Sequence, residues 1–105
     1  MDKVVSLVKK VLSDHKAEDI EVIDVHERTP FADFYVLASA TNIRQIKALS
    51  EIVEEELAKK KMSINHIEGT PESGWILIDA HHVIINIFSK EERERISLEQ
   101  VLTKK

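Results

Sequence analysis

Cysteine is absent from this 105-residue sequence, and that single absence excludes disulfides, thiolate metal sites and a cysteine nucleophile. Glycine and proline are scarce, with two of each, so neither a collagen-like repeat nor a flexible linker fits the composition. There is no basic surplus: fifteen Lys and Arg stand against nineteen Asp and Glu, a formal charge of −4. A protein that held nucleic acid mainly through phosphates would carry the opposite balance, so direct DNA binding is not expected and a basic protein partner is. No apolar run approaches the ~18 residues of a membrane span. The first sixteen residues are broken by Lys3, Lys9 and Lys10, which does not fit a signal peptide. Together these absences lead to the expectation of a cytoplasmic protein with no membrane association.

What is present is an ordinary globular composition, 43% apolar and 32% charged. At roughly 100–200 residues per domain, residues 1–105 are expected to form one domain with one core. Val4, Val5, Leu7, Val8, Val11 and Leu12 recur at helical spacing. Ile20–Val25 is short and β-branched and predicts a strand. A turn with Pro30 follows, and then Phe34–Ala40, an almost continuous apolar run, predicts a strand covered on both faces. Asn42 with Gln45 has the spacing of a capping box, followed by the stripe Ile43, Ile46, Leu49, Ile52 or Val53, and Leu57. Lys59–Lys61 then sit where a helix dipole favours cations.

Ile64–Glu68 predicts a shorter strand, ended by the turn-rich segment Gly69–Gly74. Trp75–Asp79 and Val83–Phe88 are two further strands; the link between them is too short for a crossover, so they must form an antiparallel hairpin. Ser89 with Glu92 and Ser97 with Gln100 each have the spacing of a helix start. The order predicts an α/β fold, a mixed five-stranded sheet flanked by helices.

Catalytic patterns are weak. Gly69 and Gly74 precede a strand, so they match neither a P-loop nor a dinucleotide fingerprint. Ser39 and Thr41 lie between a strand and a helix start, where an anion can bind, but Thr41 and Asn42 are sufficiently explained as caps. Asp79, His81 or His82 with His66 would make only a loosely spaced metal site, and an exposed hairpin tip explains the two adjacent histidines. His26 lies at a strand end. Asp24, Glu27, Asp33, Glu68 and Asp79 also lie at strand ends, yet only Asp19-Ile20-Glu21 has the Asp-x-Glu spacing of a nucleotidyltransferase, and no Gly-Ser precedes it. A small metal-dependent nucleotidyl- or phosphoryl-transfer enzyme is the alternative reading.

Trp75, the sole tryptophan, begins a strand directly after the turn-rich segment and is either a core plug or an exposed anchor. Asn86 interrupts an otherwise apolar strand, so it either faces a satisfied polar pocket or faces a partner.

These residues carry a family resemblance. Asp33-Phe34-Tyr35-Val36-Leu37 running into Thr41-Asn42-Ile43-Arg44-Gln45-Ile46-Lys47-Ala48-Leu49, then His66-Ile67-Glu68-Gly69, Ser73-Gly74-Trp75-Ile76-Leu77-Ile78-Asp79 and Val83-Ile84-Ile85-Asn86-Ile87-Phe88, resemble in order and spacing the blocks of the ribosomal silencing factor (RsfS, or Iojap-like) family. The resemblance covers nearly the whole chain. It implies a nucleotidyltransferase-like fold lacking catalytic residues, no enzyme activity and no cofactor. It further implies binding to the large ribosomal subunit through its L-fourteen-family protein, blocking association with the small subunit and repressing translation when nutrients are short. By analogy, the partner-binding residues are Trp75 as apolar anchor, Asp79 as partner for a Lys or Arg, and Ile76, His81, His82 and Asn86 around them. Ala80-His81-His82 replaces the family's Tyr-Gly-Asp-type turn, and Asn86 replaces its strand histidine. A homodimer pairing through the apolar hairpin is compatible with the same surface.

Overall fold

The computed structural model describes residues 2–98. The elements run α1 (Lys3–Asp14), β1 (Glu18–Asp24), β2 (Phe34–Ala40), α2 (Ile43–Lys59), β3 (His66–Thr70), β4 (Trp75–Ala80), β5 (Val83–Ser89) and α3 (Lys90–Ile96), with one 3-10 turn at Pro71–Ser73. The five strands form one sheet in the order β1-β2-β5-β4-β3. Only β2 and β5 are parallel; every other neighbouring pair is antiparallel. The mixed α/β sheet expected from the order of elements is what the chain forms.

Side chains alternate across a strand, so each sheet face has its own core. On one face, Val36, Ala38 and Ala40 of β2, Ile76, Ile78 and Ala80 of β4, and Val83, Ile85 and Ile87 of β5 pack against Val5, Val8 and Leu12 of α1 and Ile46, Leu49, Val53 and Leu57 of α2. Both helix stripes follow the sequence periodicity except at Ile43, which opens α2 and is 52% exposed, because the first helical residue lies beyond the edge of the sheet-facing core. A fully buried Leu here contributes about 1.5–3 kcal/mol, so Leu49→Ala or Leu57→Ala would cost about 2–5 kcal/mol. On the opposite face Ile23, Leu37, Ile84 and Phe88 form a smaller core, with Tyr35, Trp75, Leu77, Ile96 and Leu98 packed against it. Among the described residues that face carries only the short α3 and Leu98, and Tyr35, Trp75 and Leu77 stay half-buried.

The helix ends are set by side chains. Asp2 caps α1 by accepting from the N–H groups of Val4 (2.8 Å) and Val5 (3.1 Å). Asn42 caps α2 as expected, accepting from Gln45 N–H at 2.8 Å. The reciprocal half of the box is displaced by one residue, because Gln45 accepts from the N–H and hydroxyl of Thr41 (2.7 and 2.9 Å). Ser89 caps α3 through Glu92 N–H. Ser97 closes α3 at φ 49°, and the Gln100 expected to pair with it lies outside the described residues.

Several boundaries differ from the sequence expectation: β3 begins at His66 instead of Ile64, β1 ends at Asp24 instead of Val25, and β4 and β5 each run one residue further, to Ala80 and Ser89. β3 runs to Thr70, because Gly69 and Thr70 pair with Ile76 and Trp75 instead of lying in the loop. Gly69 has φ 88°, and a Cβ there would sit 2.1 Å from the Trp75 carbonyl oxygen, so only glycine allows this approach. β1 begins at Glu18, two residues early, through an irregularity between Glu18 and Glu21 where Asp19 takes φ 49°.

Candidate partner-docking face

The sheet face opposite α1 and α2 is laid out by strand register. One row reads Ser39, Phe88, Trp75 and Thr70 across β2, β5, β4 and β3. The next reads Leu37, Asn86, Leu77 and Glu68, and the third Tyr35, Ile84, Asp79 and His66. Trp75, Leu77 and Tyr35 are half-buried, so they offer apolar surface to solvent without being loose.

Three contacts hold Trp75. Its indole Nε1–H donates to Asn86 Oδ1 at 3.0 Å. Its ring lies 5.2 Å from that of Phe88, tilted by 31°. Its backbone pairs with Thr70 on one side and Phe88 on the other. Beside it opens a groove of about 420 Å³ lined by Trp75, Leu77, Gly69, Glu68, Glu92 and Arg95 among others. Glu92 and Arg95 close its α3 edge as a two-pronged ion pair, both contacts at 2.9 Å. The Arg95 hydrogen bond holds the Glu92 carboxyl below its ordinary range and raises the guanidinium in turn.

The six residues expected to bind a partner do not lie together. Trp75, Asp79 and Asn86 share this face. Ile76 does not: alternation turns it to the helix face, where it is 4% exposed in the core, so it offers no contact surface. Asn86 is 0% exposed, so it too cannot touch a partner from its present position. It faces a polar pocket that is half satisfied, since its Oδ1 is bonded to Trp75 while its Nδ2 has no hydrogen-bond partner among the described residues.

Asp79 is largely occupied by its own hairpin. Oδ1 accepts from His81 N–H (2.9 Å), Oδ2 accepts from Asn65 Nδ2 (3.2 Å) and lies 3.4 Å from His66 Nδ1, and the side chain is 18% exposed. At the tip, His81 takes φ 66° and its Nε2 lies 2.9 Å from Ser63 Oγ. His82 Nε2 lies 2.7 Å from Asp2 Oδ2, which ties the tip to the start of α1. The tip histidines therefore make contacts on the helix side.

The catalytic and metal candidates are likewise dispersed. His66 faces Asp79 and Glu68, while His81 and His82 are held by Ser63 and Asp2, so the three histidines do not converge. Among the described residues no three His, Asp or Glu side chains could hold a metal ion. Ser39 is 2% exposed and accepts from Arg93, which also donates to the Asp19 backbone carbonyl and lies 3.6 Å from the Glu21 carboxylate. Asp24 is bonded to His26; that hydrogen bond lowers the carboxyl and raises the imidazole.

Sequence reasoning missed Leu77 and Tyr35, although the two-residue period of a strand places Leu77 beside Trp75 and excludes Ile76. It also missed Phe31, 84% exposed in the β1–β2 loop. That loop runs past the hairpin tip, where the N–H groups of Asp33 and Phe34 donate to the His82 carbonyl. An apolar residue directly after Pro30 in a turn was the available signal.

These features define a class: a small α/β fold whose two longer helices cover one sheet face and whose other face is apolar, grooved and, among the described residues, only partly covered. Comparison with known proteins narrows it. A family model described as "Ribosomal silencing factor during starvation" matches residues 1–105, and the chain belongs to that family. The chain is 30% identical over 100 residues to the ribosomal silencing factor RsfS of Zymomonas mobilis, covering 95% of this chain and 75% of that one. It is 27% identical to the mouse protein named "Mitochondrial assembly of ribosomal large subunit protein 1", covering 98% of this chain and 45% of that longer one. A crystal structure of a Chromobacterium violaceum protein superimposes with a TM-score of 0.93 at 25% identity, covering 100% of this chain and 89% of that one.

Proposed function

We propose that this chain is a non-catalytic regulator that binds the large ribosomal subunit through its L-fourteen-family protein and, by occupying the face that meets the small subunit, prevents subunit joining. It acts in the cytoplasm, needs no cofactor and lowers translation when nutrients are short. Family membership supports the ribosomal role, and the mouse relative's name supports the choice of the large subunit. The observation that carries the site is the half-buried, rigidly held Trp75 on the sheet face opposite α1 and α2. A pre-ordered Trp over a groove is the chemistry of an interface hot spot.

Leu77 extends the contact, and Phe31, exposed in the loop beside the hairpin tip, adds a further apolar contact at the other end of the sheet. Asp79 adds negative potential rather than a full ion pair, because its oxygens already serve the hairpin. The net charge of −4 favours approach to a basic ribosomal protein over bare rRNA. A domain whose Cα radius of gyration is 12.6 Å is bulky enough to occlude an intersubunit contact by volume alone.

Co-sedimentation with isolated large subunits, followed by addition of small subunits, tests the reading. Selective large-subunit binding with fewer joined ribosomes supports it. Binding to neither subunit at low and moderate salt refutes it and redirects attention to a nucleotide screen. Trp75→Ala should weaken binding by about 30-fold, a hot-spot loss, while leaving the far-UV circular dichroism spectrum unchanged. Full-strength binding by that variant would move the site elsewhere.

A further inference from the structure

We infer that Asn86 is a positioning residue for Trp75, kept in the core for docking and against stability. The inference rests on the reading that Trp75 is the docking anchor. Asn86 lies on the same sheet face as Trp75, directly opposite Leu77, and its Oδ1 accepts the indole N–H at 3.0 Å. An indole nitrogen only donates, so the amide oxygen must face it. This orientation leaves Nδ2 pointing away, and among the described residues Nδ2 is a buried side-chain atom with no hydrogen-bond partner. Turning the amide over would set two donors against each other and satisfy neither.

A buried, unpaired amide donor disfavours the folded state. Leucine, of similar size, would suit the surroundings, since Leu37 and Leu77 flank Asn86 in its row. Asn86 therefore does not serve the core. What it supplies is one fixed acceptor that, with the Phe88 ring 5.2 Å away, sets the rotation of the only tryptophan. Trp75 is half-buried, so without that acceptor its N–H can turn to water and the ring is freed to rotate. Ordering the ring before docking removes part of the entropic cost of binding.

The test compares Asn86→Leu, Asn86→His and the unsubstituted chain. A neutral imidazole retains an acceptor nitrogen, so Asn86→His is the rescue variant. Asn86→Leu should melt at or above the temperature of the unsubstituted chain, while its tryptophan emission becomes more accessible to acrylamide and less anisotropic. Its large-subunit affinity should fall about 3–10-fold, the worth of one hydrogen bond, with Asn86→His recovering most of the loss. Unchanged emission with unchanged binding overturns the inference. So does a fall in melting temperature that accounts for the lost binding, which would make Asn86 structural. If the unsubstituted chain fails to bind large subunits, or Trp75→Ala binds normally, the functional reading falls instead, while the fluorescence comparison still decides whether Asn86 orders the indole.

Discussion

Asp2 and His82 lie 80 residues apart, and one carboxylate serves both ends of that span. Oδ1 of Asp2 takes the first free N–H groups of α1, from Val4 and Val5, while Oδ2 meets His82 Nε2 at 2.7 Å. Asp2→Ala removes the cap, which costs about 1 kcal/mol within a range of roughly 0.5–2. It also removes the tip contact. That contact joins side chains 24% and 40% exposed, so solvent screening limits it to about 0–1 kcal/mol. The sum is about 1–2 kcal/mol, and for a domain near 100 residues each kcal/mol moves Tm by about 4–8 °C. A drop of about 5–15 °C is therefore expected at pH 7, followed by far-UV circular dichroism.

Asp2→Asn should lose much less, since Asn is an equally good cap, and His82→Ala should lose only the tip contact. A double-mutant cycle over Asp2 and His82 isolates that contact. The pH dependence follows from the carboxyl. Burial alone would raise it, but the Val5 N–H, the His82 hydrogen bond and charge, and the Val4 N–H together hold it below its ordinary value of 3.8. A depressed carboxyl stabilises the fold above its unfolded value and loses that contribution as pH falls through the folded one. The gap between wild type and Asp2→Ala should thus persist from pH 7 to pH 5 and shrink below about pH 4. An Asp2→Ala protein that melts within about 2 °C of wild type at pH 7 would refute the capping argument.

Two further outcomes follow from the geometry. Gly69→Ala places a Cβ 2.1 Å from the Trp75 carbonyl oxygen at φ 88°, so β3 must part from β4. The left-handed backbone alone costs about 1–2 kcal/mol and the clash adds to it, so urea unfolding should show a loss of more than about 2 kcal/mol; a midpoint equal to that of wild type would mean the two strands do not approach this closely. Phe31→Ser, by contrast, removes an 84% exposed ring, so stability should stay within about 0.5 kcal/mol while large-subunit binding weakens several-fold; unchanged binding would remove Phe31 from the docking surface.

How much of this was legible in the residues depends on the range of the interaction involved. Local signals were sufficient for the helix stripes of α1 and α2, the Asn42 cap and the β4–β5 hairpin, because each depends on residues within a few positions of one another. The family blocks, also local, pointed to the ribosomal silencing factors. The site fared worse where its residues are joined across strands. Ile76 stood next to Trp75 in sequence and went to the opposite face, and only the period of the strand separates them.

Composition and spacing by themselves determined the class of fold, the acidic charge and the absence of cysteine chemistry, since these are properties of short segments or of simple counts, and the family came from the resemblance of short blocks. Only the tertiary structure decided that β2 and β5 lie side by side in parallel. That pairing brings Tyr35 and Leu37 beside Ile84 and Asn86, 49 residues further along, and so builds the apolar face. It likewise decided that Asp2 meets His82, that Asp79 is occupied by its own turn, and that Asn86 holds Trp75 with one end of its amide and, among the described residues, nothing with the other. These are long-range pairings and burial states. They arise when strands choose neighbours and faces close, and no single segment of the chain contains that information.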